Sequence, residues 1–206
     1  MKFLPLSLPH YLAVIFSIVF IAFGINPVFR EVWIAEVIPV VLIFAFLVAS
    51  YSKFQFSHTA YILMFCWLIG HTIGAHYTFA NVPFDWFNNL LGTERNMFDR
   101  VAHFTVGLYA FPIAEWLVRR GECKPKLAAF FALFAIMAIA AGYEIIEWWY
   151  AIIAGGEAGI EFLGSQGDIW DAQKDMLADT VGAVFSLILF FKVKPFTDPS
   201  ATKALS

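Results

Sequence analysis

The fold is decided by one apolar stretch, Leu127–Ala154, which reads LAAFFALFAIMAIAAGYEIIEWWYAIIA. Its charged side chains are two carboxylates, Glu144 and Glu147, and it contains no Lys or Arg. A membrane-crossing helix needs about 20 mostly apolar residues. Because lipid offers no hydrogen bonds to the backbone, such a segment must satisfy its own N–H and C=O groups as a helix. The stretch therefore predicts a transmembrane helix.

The rest of the 206-residue chain has the same character. It is 61% hydrophobic, 18% aromatic and 14% charged, with a mean hydropathy of +0.74, whereas soluble domains are about 25% charged. No linker or repeat divides it. The sequence predicts an all-α, polytopic membrane helical bundle that forms a single integral membrane domain over residues 1–206, with the lipid bilayer as its partner. The predicted spans are about 9–25, 33–51, 59–79, 101–118, 127–154 and 176–191.

Basic residues give the orientation of this bundle. Nine of the 13 Lys and Arg residues fall on one predicted side, and cytoplasmic loops carry the excess of basic residues. The sequence therefore predicts a multi-pass membrane protein with both termini in the cytoplasm. The nine are Lys2, Lys53, Arg119, Arg120, Lys124, Lys126, Lys192, Lys194 and Lys203. No basic cluster with interleaved aromatic residues is present, so nucleic acid is excluded as a partner.

Pairs of ionisable residues interrupt the apolar runs. An ionisable group at mid-membrane costs about 2.5–3.5 kcal/mol on insertion scales and is by default a functional-site hypothesis. In the predicted topology all the pairs fall at one depth, just inside the outer surface. The pairs are His71 with His76, Asp99 with His103, Glu144 with Glu147, and Asp175 with Asp179.

Helical spacing distinguishes these pairs. Residues four apart share a helix face, which applies to Asp99 with His103 and to Asp175 with Asp179. His71 and His76 are five apart and diverge by about 140° around a regular helix, so His76 is the weakest candidate.

Carboxylates and imidazoles that project from facing helices are typical of metal sites in helical bundles. Such oxygen and nitrogen ligands suit zinc, manganese or iron, so a divalent metal is the candidate cofactor. An acid four residues before a histidine also makes a general acid/base unit. The predicted metal ligands are His71, Asp99, His103, Glu144, Glu147, Asp175 and Asp179. The predicted catalytic residues are Asp99, His103, Glu144 and Glu147.

Each pair alone is equally compatible with a polar clamp between helices. In that alternative Arg95, Arg100 or Lys174 supplies the counter-charge. The segment Leu163–Lys174 is predicted either to cover the site as a lid or to form a solvated interfacial helix. If it is helical, its Asp168 and Asp171 form one acidic stripe with Asp175, which follows it.

Other polar and small residues are given structural roles. Glu115 and Arg119 are predicted to pair on a helix surface. Gly70 and Gly74 form a G-x-x-x-G pattern that favours close helix packing. Glu157 and Glu161 are predicted to be solvated.

The C-terminal half resembles the VanZ-like membrane proteins. The residues that carry this resemblance are Asp99-Arg100-Val101-Ala102-His103-Phe104, the Glu-bearing fifth span, and Asp175-Met176-Leu177-Ala178-Asp179-Thr180-Val181-Gly182. Glu147 and Asp179 stand where that pattern has an amide, so both departures add a carboxylate. Over its full length the chain resembles the YjdF-type family of bacterial inner-membrane proteins, a likeness that implies location and supplies no reaction.

Three functions remain open at this point. The first is a metal-assisted enzyme that acts on an envelope lipid or a cell-wall precursor. The second is a small proton-coupled transporter, and the third is a structural or accessory membrane protein. No second polar cluster marks the cytoplasmic half of the sequence, which favours a one-sided site, whereas the lack of a nucleophilic Ser or Cys motif leaves enzyme status undecided.

Overall fold

The computed structural model describes residues 7–197, and these residues form nine α-helices with no strand among them. The all-α prediction is confirmed. Both chain ends, with Lys2 and Lys203, lie outside the described residues. The helices are α1 (Leu8–Phe23), α2 (Arg30–Ser50), α3 (His58–Tyr77), α4 (Asp85–Leu91), α5 (Phe98–Gly107), α6 (Ala110–Arg119), α7 (Pro125–Ala154), α8 (Gly156–Leu163) and α9 (Asp171–Val193).

Within residues 7–197, four helical segments are long and apolar enough to cross a membrane: α2, α5 with α6, α7 and α9. The helix α1 is apolar but shorter, at 16 residues, and α3 coincides with the predicted span 59–79. Every predicted span therefore contains a helix. A membrane helical bundle agrees with this architecture, and the number of six crossings stays a prediction.

The predicted span 101–118 is two helices in series. Pro112 has no N–H, so it cannot bond the carbonyl of Leu108 as a regular helix would require. The N–H of Phe111 bonds that carbonyl instead, at 3.2 Å, and α5 ends before α6 begins. The two helices still extend over 22 residues, or about 33 Å, which is enough to cross a bilayer.

A close backbone contact joins α5 to α9. A Cβ atom on Gly182 would overlap the carbonyl of Phe104, and one on Gly107 would overlap the backbone of Asp179, so only glycine fits at either position. The hydroxyl of Ser186 donates to the Gly107 carbonyl at 3.2 Å. Small residues allow this approach between membrane helices, and the contact brings the beginnings of α5 and α9 side by side.

The predicted role of the G-x-x-x-G pattern in α3 is wrong. Gly70 faces open space, and the space beside Gly74 is filled by the ring of Phe79, which follows the same helix. Close packing instead uses the separated glycines Gly107 and Gly182. Spacing along one helix cannot identify such a pair, because each helix contributes one member.

The two ends of the bundle differ chemically. Asp99 lies at the beginning of α5, and Arg119 lies at the end of α6, one membrane thickness away. The guanidinium of Arg119 donates to the Gln55 carbonyl at 2.7 Å. This hydrogen bond joins the end of α6 to the connection between α2 and α3.

Glu115 lies at this basic end and is fully buried. Its carboxylate accepts from the backbone N–H and the hydroxyl of Ser57, both at 2.7 Å, and from Arg119 at 2.5 Å. The Glu115–Arg119 pair was predicted, but its placement on a helix surface is wrong, because the N-terminus of α3 covers the carboxylate.

Candidate functional site

The centre of the site is the imidazole of His103, which lies between α5 and α9. Its Nδ1–H donates to Asp179 Oδ2 at 3.2 Å. Its Nε2 is 3.7 Å from Asp99 Oδ1 and 3.7 Å from Asp175 Oδ1, which is too long for a hydrogen bond. All four side chains are buried. The predicted i, i+4 pairs therefore meet across the helix contact, with Nε2 facing two carboxylates.

Two arginines cover the side of this centre that faces the connection between α8 and α9. Arg100 binds both Asp175 and Asp171, while Arg95 contacts Asp171 at 2.6 Å and Asp99 at 3.3 Å. The predicted counter-charges are thus present for these acids. Since each guanidinium serves more than one carboxylate, the two arginines leave an excess of acid.

The segment between α8 and α9 lies against the beginning of α5. Gln166 and Asn96 exchange two hydrogen bonds, at 2.9 and 3.1 Å. Residues 164–170 are not helical, so the prediction of an interfacial helix over Leu163–Lys174 is wrong for that part. The segment instead covers the site at the beginning of α5.

Asp168 belongs to this covering segment and not to the centre. Lys174 Nζ donates to Asp168 Oδ2 at 2.6 Å, and this hydrogen bond lowers the pKa of the carboxyl. The acidic stripe is therefore divided: Asp168 pairs with Lys174 and reaches Arg100 only at 3.5 Å, whereas Asp171 and Asp175 are buried against Arg100.

The two glutamates of α7 face different spaces. Glu147 is buried and lines a cavity that Asp99 and His103 also line. Glu144 lines a second, adjacent cavity together with Glu147. Within the described residues, Glu144 Oε1 and Asp179 Oδ1 are buried without a hydrogen-bond partner. An unpaired buried oxygen costs about 1–3 kcal/mol, so both atoms are acceptors that could bind a donor or a cation.

His71 lies on another wall of the first cavity, bound to a glutamate that the sequence reasoning missed. Its Nε2 is 3.0 Å from the Glu36 carbonyl and 3.1 Å from Glu36 Oε2, and the Tyr143 hydroxyl donates to the same Oε2 at 2.7 Å. Glu36 is a lone acid within an apolar run, which was a usable signal. It has no ionisable partner three or four residues away, so the pattern of paired ionisable residues does not include it.

His76 does not reach the site. Its Nδ1–H donates to the carbonyl of Phe23 at 2.8 Å, and its ring contacts the rings of Phe23 and Tyr77. It links the end of α3 to the end of α1.

Glu161 is a correction to the predicted solvated acids. It accepts hydrogen bonds from Thr78 Oγ1 at 2.8 Å and Asn81 Nδ2 at 3.0 Å, and it lines the first cavity. Glu157, in the same helix, is exposed. The difference arises because α8 packs one side against the turn that follows α3.

The first cavity, called here the central cavity, has a volume of about 180 Å³. Its polar residues are carboxylates, histidines and tyrosines, and no Lys or Arg is found among the residues that line it. Trp67, Val106, Ile136 and Ile139 contribute apolar walls. The acidic members are Glu36, Asp99, Glu147, Glu161 and Asp179. The site is therefore an acidic centre at the side of an apolar chamber.

Comparison with known proteins now identifies the family. Residues 8–195 match the family described as predicted membrane protein (DUF2238), and the chain belongs to that family. It is 35% identical over 179 residues to the inner membrane protein YjdF of Escherichia coli (strain K12), a match that covers 85% of each chain. No solved structure matches. The YjdF-type resemblance is confirmed, while the resemblance to VanZ-like proteins stays a prediction.

Proposed function

We propose that this member of the DUF2238 family is a metal-assisted enzyme that acts, from the outer face of the inner membrane, on the polar end of an envelope lipid or a lipid-linked cell-wall precursor. One observation carries the proposal. His103 is fixed by Asp179 so that Nε2 faces Asp99 and Asp175 at the edge of a largely apolar chamber.

The donor atoms fit a divalent cation. One ligand atom each from Asp99, His103 and Asp175 lies within 4.8 Å of the others. Tetrahedral zinc with bonds of about 2.0–2.2 Å holds its ligand atoms about 3.3–3.6 Å apart, close to the 3.7 Å separations seen here. A carboxylate on the far nitrogen is the usual means of orienting a metal-binding imidazole, and Asp179 supplies it.

Arg100 must share Asp175 with the cation. Its guanidinium binds Asp175 Oδ1, one of the oxygens that would face the metal. The same guanidinium also contacts Asp171, so Asp175 can present its second oxygen while Arg100 keeps a carboxylate partner. The arginine thereby offsets part of the excess negative charge when the cation is absent.

The remaining carboxylates have roles in proton transfer. A bound divalent metal would polarise the scissile bond and lower the pKa of water. Glu147 is buried in the same cavity and is the candidate general base that takes a proton from this water. Glu144, on the adjacent cavity, is placed to pass that proton toward the surface.

Charge distribution supports an outward-facing centre and a one-sided site. The basic connections lie at the Arg119 end of the bundle, opposite Asp99, which agrees with the positive-inside rule. At that basic end, Glu115 is bound by Ser57 and Arg119. This buried acid therefore does not continue a polar pathway through the membrane, and the enzyme is preferred to the transporter.

Metal content is the first test. The protein is purified without chelator, supplied with Zn²⁺ or Mn²⁺, desalted, and analysed for bound metal beside Asp99→Ala, Asp175→Ala and the matched control Asp85→Ala, an exposed acid in α4. We expect stoichiometric metal in the wild type and the control, with loss in both centre variants. Wild-type protein that holds no metal after reconstitution would overturn the proposal.

Turnover is the second test. Radiolabelled polar lipids extracted from the source membrane are incubated with metal-loaded protein and separated by thin-layer chromatography. We expect one labelled species to be converted by the wild type and by Asp85→Ala, but not by Glu147→Gln that has retained its metal. Identical chromatograms for wild type and Glu147→Gln would contradict the enzymatic role.

A further inference from the structure

We infer that the central cavity binds an ammonium group, so that its ligand is an amine-bearing amphiphile whose nitrogen lies beside Glu36 and Glu147. The inference deepens the proposed function, since it assigns a substrate class to the same chamber. It rests on the charges of the cavity wall, the unpaired atoms there, and the side on which the chamber meets lipid.

The charge of the cavity wall favours a cation. Five carboxylates line it and no Lys or Arg does, because Arg95 and Arg100 are engaged with the acids on the outer side. Buried carboxylates need a paired charge or a full set of hydrogen bonds. A purely anionic head group would meet like charge, whereas an ammonium ion supplies the missing positive charge.

Glu36 has an oxygen available for such a group. Tyr143 and His71 both bind Oε2, and Oε1 makes no hydrogen bond within the described part of the chain, although the residue is only 2% exposed. An ammonium nitrogen can donate to Oε1 without displacing either neighbour. Asp179 Oδ1 is a second unpaired acceptor among the cavity-lining residues.

Aromatic side chains complete the recognition chemistry. Trp67, Tyr109, Tyr143 and Phe79 line the same cavity, and aromatic faces attract ammonium groups by cation–π interaction. The indole Nε1 of Trp67 is buried without a described acceptor. It can donate to an ester or hydroxyl oxygen near the amine, which an amine-bearing lipid head group contains.

The size and position of the cavity indicate where the rest of the ligand lies. A cavity of about 150 Å³ holds benzene, so about 180 Å³ admits a small head group but not a lipid tail. The helix α2 packs against α3 and α8, whereas α7 packs against α6, α8 and α9, so α2 and α7 flank the chamber. Ile139 of α7 lines the cavity and is 52% exposed, so this side chain lies between the chamber and the surface that a membrane helix presents to lipid. An apolar tail can leave by this side.

Binding of decylammonium, whose nitrogen carries three N–H donors, tests the inference. Isothermal titration is performed on protein in a neutral maltoside detergent, with decyl sulfate as the anionic probe of equal chain length. We expect saturable binding of the cation alone and at least about tenfold weaker binding by Glu36→Gln, the loss of one close charge-assisted contact of about 1.4 kcal/mol. Asp85→Asn, an exposed acid away from the cavity, serves as the matched control and should bind like the wild type.

Two further variants keep the inference separable from metal binding and from folding. Asp175→Ala removes a proposed metal ligand that does not line the cavity, and it should lose metal while retaining ammonium binding. If Glu36→Gln does not fold, Glu147→Gln removes the facing carboxylate and should weaken binding in the same way. Equal binding of both probes, or equal binding of the cation by wild type and the folded cavity variants, would overturn the inference even where the metal is present.

Discussion

At the scale of single residues, the centre depends on how one imidazole is held. Asp99 and His103 share a face of α5 by spacing alone, and this was predictable. The role of Asp179 was not, because its hydrogen bond to His103 Nδ1 crosses from α9 to α5. That bond determines which nitrogen is left to face Asp99 and Asp175, so Asp179 orients the imidazole.

Replacing Asp179 tests this orienting role. In Asp179→Asn the side chain keeps its size but loses the charge that makes the imidazole a stronger ligand. We expect metal affinity to fall about 10–100-fold with the fold retained, measured by competition with a chromogenic chelator. Asp85→Asn, an exposed acid in α4 away from the centre, is the control; equal losses in the two variants would argue against the assigned role.

Glu115 offers a residue-scale prediction away from the centre. Removing the Glu115 carboxylate takes away the acceptor of the Ser57 N–H and hydroxyl and of one Arg119 N–H, and a buried donor that loses its acceptor costs about 1–3 kcal/mol. Glu115→Ala should therefore lower the thermal unfolding temperature in detergent, while metal content in the surviving folded protein is unchanged. Glu122→Ala, an exposed acid in the following connection, should leave the unfolding temperature as in the wild type. A Glu115→Ala protein with the unfolding temperature of the wild type would contradict the stabilising role of the Glu115 contacts with Ser57 and Arg119.

At the scale of helices, the packing of α5 on α9 assembles the site. Apolar length predicted most of the helices, and Pro112 explains the interruption between α5 and α6. The closest approach depends on Gly107 and Gly182, which are far apart in sequence and carry no recognisable pattern. In the G-x-x-x-G of α3, which has the expected pattern, Gly70 meets open space and Gly74 meets the ring of Phe79.

Substituting alanine at these glycines tests the helix contact. Gly182→Ala places a methyl group against the Phe104 carbonyl, and overpacking of this kind costs about 1–3 kcal/mol. We expect a lower unfolding temperature and weaker metal binding, because α5 and α9 move apart at His103 and Asp179. Gly142→Ala in α7, which meets open space, should be neutral or stabilising, since alanine favours helix. Similar behaviour of the two variants would show that the contact does not position the centre.

At the scale of the whole molecule, the bundle has one acidic end and one basic end. The centre lies beside the beginnings of α5 and α9, and the connections bearing Lys53 and Arg119 lie across the length of α5 and α6. An excess of basic residues marks the cytoplasmic side. The acidic chamber is therefore expected to face outward.

Cysteine labelling checks this orientation. In a background with Cys66 and Cys123 replaced by alanine, Asp85→Cys and Glu122→Cys place single thiols at exposed positions on opposite ends. A membrane-impermeant maleimide added to spheroplasts should label position 85, and should label position 122 only after the membrane is permeabilised. The reverse pattern would place the chamber in the cytoplasm.

The sequence by itself determined the helical membrane architecture and the ionisable residues that belong to the candidate centre, because apolar length and the cost of charge in lipid act locally along the chain. Tertiary structure alone decided which of these residues meet. Hydrogen bonds between α5 and α9, the pairing of Glu36 with His71 and Tyr143, and the burial of Glu115 all join segments distant in sequence. Helical periodicity gives the face on which a side chain lies, whereas its partner depends on how closely the backbones approach, and here two glycines set that distance.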